Sequence, residues 1–239
     1  EEAQQVQAAL ADRDATATDT ATLAGKSVAM QGLGALEFVL VGTGAEELAA
    51  SGDGYRCGYG LAIAGNVRTM ASAISAEWND PVGFAAQWAN PGPENALYRD
   101  ETEAVTELFD TLVHGLELVR DVRINGFLGE EAKADKPKQA IYWRSEMTIV
   151  SLAANLAGLE KLFEAADFTP NLATDTIWIP DSIAFEFRNA ESALGSVHGP
   201  VASALSAPAM REKLPYAKLV TSSLSELFGL RLAGALGLS

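Results

Sequence analysis

The sequence predicts an all-α fold. Apolar residues, chiefly Ala and Leu, recur at three- and four-residue spacing along almost the whole chain, and no run sustains the alternation of a half-buried strand. Size sets the scale: with 239 residues, 48% of them hydrophobic, the chain can bury one large or two modest cores.

A short helix is expected over 2–12, after which the polar "DRDATATDTAT" reads as a loop or helix start. A helix over 22–41 closes at "VGTGAEE", and another over 54–79 closes at Asn79-Asp80-Pro81. Residues 82–100, with "NPGPEN", read mostly as loop. "DETEAVTELFDTLVHGLELVRDVRI" opens on acidic residues and ends with Arg120 and Arg123, the charge order that a helix dipole favours, so 101–125 is a helix. "GFLGEEAKADKPKQ", residues 126–139, mixes Gly, Pro and alternating charge and marks the domain boundary. Helices over 140–166, 181–197 and 215–236 follow, separated by a loop with Pro170 and "TIWIP" and by a break at "HGP". The sum is two helical bundles of about four helices each, packed side by side. They span 1–130 and 131–239, the first short of a partner at its N-terminus. "EEAQQVQAAL" carries neither an initiator Met nor a charged-then-apolar leader, which predicts that a signal peptide has been removed.

Charge narrows the partners. With 17 Lys and Arg against 32 Asp and Glu, the net charge is −15, so nucleic acid and anionic bilayers are repelled and cations are favoured. The single cysteine, Cys57, excludes an intramolecular disulfide and a cysteine zinc cluster, and among small residues it reads as a packed thiol. No run reaches the roughly 18 uninterrupted apolar residues of a membrane span. G-x-S-x-G, Walker and dinucleotide motifs are absent, as is H-E-x-x-H. Trp78, Trp88, Trp143 and Trp178 are spread out and read as packing residues.

"GLGALEFVL" sets Gly32, Gly34 and Glu37 into an apolar helix, where each interior glycine costs about 1 kcal/mol relative to alanine. Gly34 and Glu37 lie one turn apart, so the glycine leaves room above the carboxylate for a helix, a water or a ligand. Close helix packing, with Glu37 paired to an arginine, is the plainer alternative. Arg56 is a partner available to Glu37, and Tyr55 and Tyr59 line the same space. Arg144, Thr148, Ser151 and Asn155 form a polar stripe on the helix that starts at Trp143, suited to an internal site or to a seam between packed helices. Glu186, between two phenylalanines, is a second candidate half-buried carboxylate. His114 and Glu117 have metal-ligand spacing but fall on the acidic, solvated side of their helix, and His198 reads as a turn residue.

"SVAMQGLGALEFVLVGTG" resembles the signature of the imelysin family, G-x-H-x-x-E within an apolar run. Gly32 matches its glycine and Glu37 its glutamate, while Gly34 stands where the histidine is expected. "YRCGYGLAIAGNVRTMASAISAEW" is similar to the helix that follows in the family. "YWRSEMTIVSLAANLAGLEKLF" is similar to its later R-S-containing helix, carried by Arg144 and Ser145. The resemblance implies two helical bundles with the signature facing the crevice between them. It also implies a periplasmic or outer-membrane-attached protein linked to iron uptake, and the family name records a peptidase assignment.

Glycine at 34 removes a metal ligand or general base from the motif, which favours binding over catalysis. The leading expectation is a non-enzymatic envelope binding protein with a polar site of Gly34, Glu37, Tyr55, Arg56, Arg144, Ser145 and Ser151 between the bundles. Glu37 would be the metal ligand, with iron or another divalent cation as the ion. The expected partners are a small ligand or metal ion and envelope proteins. A divergent metallopeptidase and a docking module without ligand are the alternatives.

Overall fold

The computed structural model describes residues 2–50 and 54–238. The fold is all-α, with no strand among the described residues. The chain divides into two compact units, Glu1–Asn90 and Pro91–Ser239.

The first unit holds α1 (Glu2–Asp12), α2 (Thr20–Ala24), α3 (Leu33–Val41), α4 (Glu47–Ala50), α5 (Tyr55–Asn79) and α6 (Phe84–Ala89). One helix was expected over 22–41; the structure has α2, a 3-10 turn at Val28–Met30 and then α3. The break falls at Gly32, the N-cap of α3, whose φ of 95° and ψ of −176° are open essentially to glycine alone. Gly32 is therefore a helix boundary and carries no interior-helix penalty. Ala35, Phe38 and Val39 of α3 are buried, joining Val6 and Ala9 of α1, Leu23 of α2 and Tyr59 and Ile63 of α5 in one core. The N-terminal half of α5 supplies that core, whereas residues 68–79 are exposed at every position. Trp78 packs edge-on against Phe84 and Trp88 of α6 at 5.1 and 6.2 Å, so two of the tryptophans read as scattered sit together.

The second unit holds α7 (Glu101–Glu117), α8 (Thr148–Ala166), α9 (Ile179–Gly195), α10 (Val201–Ser206), α11 (Pro208–Arg211), α12 (Lys213–Glu226) and α13 (Ala233–Ala235). Asp100 caps α7 by accepting from the Glu103 N–H, and Glu101 and Glu103 occupy the first turn. Two π-helical segments, Leu118–Ile124 and Leu227–Leu232, continue α7 and α12. Phe109, Leu112 and Leu116 of α7 pack with Leu152 and Leu156 of α8, Ile183 and Phe187 of α9, and Leu224 and Phe228 in a single core. That shared core explains why the compact units divide at Asn90/Pro91, ahead of the expected boundary at 130/131. The 126–139 stretch lies inside the second unit, tied to α11 by Arg211 and Asp135.

Candidate functional site

Four side chains of α5 fix the surrounding backbone of the first unit. Tyr55 donates its hydroxyl to the Asp14 carbonyl at 2.8 Å, and Tyr59 donates to the Met30 carbonyl at 2.7 Å. Burial pushes both phenols up to about 12, so each keeps its proton and its donor role. Asn66 donates to the Gln31 side chain, whose amide in turn donates to the Lys26 carbonyl at 2.8 Å. Lys26 pairs with Asp14 at 2.8 Å.

Arg56, only 4% exposed, closes α3. Its Nε donates to the Val39 carbonyl at 2.8 Å, and one terminal nitrogen donates to Phe38 at 3.0 Å and Gly42 at 3.5 Å. Val39 is in the last turn of α3, the Phe38 carbonyl also accepts the Gly42 N–H at 2.9 Å, and the negative end of the α3 dipole faces the guanidinium. No ion pair joins Arg56 to Glu37, the partner open to it under the plainer alternative; its Nε and Nη2 go to backbone carbonyls instead. Gly44 makes room: its φ is +85°, and a Cβ there would stand 2.8 Å from Arg56 Nη1 and 3.8 Å from Glu47 Oε1. No ion pair joins Arg56 to a carboxylate among the described residues.

Tyr55 and Arg56 border a cavity of about 660 Å³ together with Leu10, Arg13, Glu47 and Gly54. Arg13 and Glu47 escaped the sequence reading, since nothing in their spacing ties them to Arg56. Glu37 lies half-buried on α3, one turn after an exposed Gly34. Ala35, Phe38 and Val39 fill the core side of that helix, while Leu33, Leu40 and Val41 are exposed, so "GLGALEFVL" is buried on one face only. Cys57 is half-buried and free.

In the second unit, Arg144 and Ser145 sit in a turn ahead of α8, where a continuous helix was expected from 140. Tyr142 and Glu146 have φ of 55° and 61°, and the Met147 N–H closes the turn on the Tyr142 carbonyl at 3.0 Å. These left-handed residues keep Arg144 off the helical stripe. Arg144 stacks on Trp143 at 4.5 Å, and the Ser145 hydroxyl donates to Tyr142 at 3.2 Å. Thr148 donates to the Ile141 carbonyl at 2.7 Å, and Ser151 lies half-buried on α8, its carbonyl accepting from Asn155 at 2.6 Å. Structure thus joins Arg144 with Ser145, and Tyr55 with Arg56.

Glu186 is half-buried, as its phenylalanine neighbours suggest, and accepts from Ser223 at 2.9 Å and Asn189 at 3.2 Å. His114 and His198 are exposed. No group of three or more His, Cys, Asp or Glu side chains converges on a metal-sized site among the described residues. The most buried ion pair among the described residues, Arg211–Asp135, was not legible in the sequence. Arg211 Nε reaches Asp135 Oδ2 at 2.7 Å, and its Nη2 reaches Oδ1 at 2.9 Å and the Gly129 carbonyl at 2.8 Å. No described helix is long and apolar enough to cross a membrane.

No curated protein and no solved structure matches the chain. The family model described as Imelysin, a peptidase family, matches residues 2–227, reaching into both units and covering every candidate site residue named above. The chain belongs to the imelysin family.

Proposed function

We propose that the chain is a non-catalytic binding protein of the cell envelope, periplasmic or attached to the outer membrane, that serves the uptake of iron or another metal. One observation carries this reading. Gly34, which on the resemblance stands where the motif histidine is expected, lies one turn before a half-buried Glu37, so this turn of α3 offers a carboxylate and no imidazole. A peptidase working through such a motif needs a side chain there to hold a metal or move a proton, and glycine does neither. Glu37 can still meet a cation, since it is half-buried rather than enclosed in the core. A single carboxylate leaves most of an ion's coordination positions to other donors, which suits an ion that arrives already chelated.

A docking role is the second reading, favoured by the hydrogen bonds of Tyr55 and Arg56, all to backbone. Titration with ferric citrate and with zinc, alongside a peptide-cleavage assay, separates the readings. The expected result is ferric citrate binding that weakens about tenfold in Glu37→Gln, with no cleavage. Cleavage that a chelator abolishes overturns the proposal in favour of a peptidase. A folded protein that takes neither ferric citrate nor zinc overturns it in favour of docking.

A further inference from the structure

We propose that the cavity at the first turn of α5 binds a small organic anion through its carboxylate or phosphate group. This deepens the reading of the chain as a binding protein and rests on it.

Three features converge there. Arg56 is almost wholly buried yet faces no carboxylate within 4 Å among the described residues. Its Nε and Nη2 are fixed on α3 carbonyls, which locks the guanidinium plane, and Nη1 makes no hydrogen bond to another described residue. That nitrogen lies beside Gly44, and Arg56 is itself one of the cavity's lining residues, so an oxyanion held there supplies the charge partner that no described carboxylate supplies. The second feature is the helix end itself. Gly54, the N-cap of α5, offers no side-chain hydrogen bond, so the first-turn N–H groups of a 25-residue helix face the region of Gly54, Tyr55 and Arg56. Such an end carries partial positive charge and unpaired donors. Third, Arg13 also lines the cavity and has no ion pair among the described residues.

The walls set the rest of the ligand. Leu10, Ala11 and Ala50 give an apolar side for a short carbon skeleton, and about 660 Å³ is within the range of small-molecule pockets. Glu47 is the opposing charge: it approaches Arg56 across Gly44 without pairing, and it limits how much negative charge the site accepts. In a protein of net charge −15, this clustering of two guanidinium groups and a helix N-terminus is the reverse of the surface at large.

The test is calorimetric titration of the metal-free protein with citrate, inorganic phosphate and, as a cationic control, choline. Citrate, phosphate or both are expected to bind, and choline is not. Binding by citrate alone identifies carboxylate as the preferred group, and equal binding by both identifies a general oxyanion site. Arg13→Gln, on an exposed side chain, is expected to weaken binding about tenfold, and Glu47→Gln to tighten it by a similar factor. Arg56→Lys is expected to abolish it in a protein whose helical circular dichroism is retained. Absence of binding at millimolar anion, or affinities unmoved by both Arg13→Gln and Glu47→Gln, overturns the proposal. Because no iron is present, a protein that takes citrate but fails the ferric titration keeps this site while losing the iron reading. The converse result removes this site alone.

Discussion

Asp135 shows how one carboxylate can fasten a loop. Its side chain is 6% exposed, it meets Arg211 through both oxygens, and it accepts the Gly129 N–H at 2.8 Å. The Arg211 guanidinium, ahead of the Gly129 bond, holds its pKa below the usual carboxylate range in spite of burial. A depressed folded pKa means that the stabilisation is complete above the unfolded value near 4 and is lost as pH falls through the folded one. Asp14, held down to about 2 chiefly by Lys26, acts in the same direction. Unfolding midpoints should therefore drop between about pH 4 and 2. Asp135→Asn should lower stability by about 3 kcal/mol at neutral pH and flatten that dependence. Chemical denaturation across pH measures both; an unchanged slope in Asp135→Asn would assign the acid sensitivity to other carboxylates. Asp135 and Arg211 lie 76 residues apart in sequence, which is why no local pattern announced them.

At the scale of elements, α5 is two helices in one. Residues 55–66 carry the buried Arg56, Tyr59, Ala62, Ile63 and Asn66, whereas 68–79 are exposed throughout. Backbone hydrogen bonds without tertiary cover open easily. Hydrogen–deuterium exchange should be faster by at least about tenfold in 68–79 than in 59–66, and equal protection would mean that the distal half is covered in solution. Helices with strong end signals were legible: 54–79 ends before Asp80-Pro81 and 101–125 begins at an Asp cap, and both stand within a residue or two of the structure. Two were misjudged for one reason. Apolar spacing ran on through Gly32 and through Tyr142–Glu146, where the backbone turns to positive φ, and spacing carries no information about φ. Tyr55 and Arg56 stood out in the sequence as candidate site residues, but that they would bind backbone was not legible. A carbonyl acceptor leaves no mark in a sequence.

For the whole molecule, the decisive arrangement is that each unit owns a core. Leu112, Leu116 and Val119 share theirs with Leu152, Ile183 and Leu224, so the chain from Pro91 onward contains every residue of that cluster. A fragment of residues 91–239 is expected to fold alone with helical circular dichroism and a single cooperative melt, while one starting at 131 should not, since it lacks α7. A non-cooperative melt of the longer fragment would show that the second core depends on the first unit. In the first unit, α5 grips its neighbours by the carbonyls of Asp14, Met30, Phe38, Val39 and Gly42. Every amino acid carries that carbonyl, so the gripped positions can drift in evolution without loosening the hold. The gripping residues, and the glycine at 44 that makes room for one of them, have no such freedom.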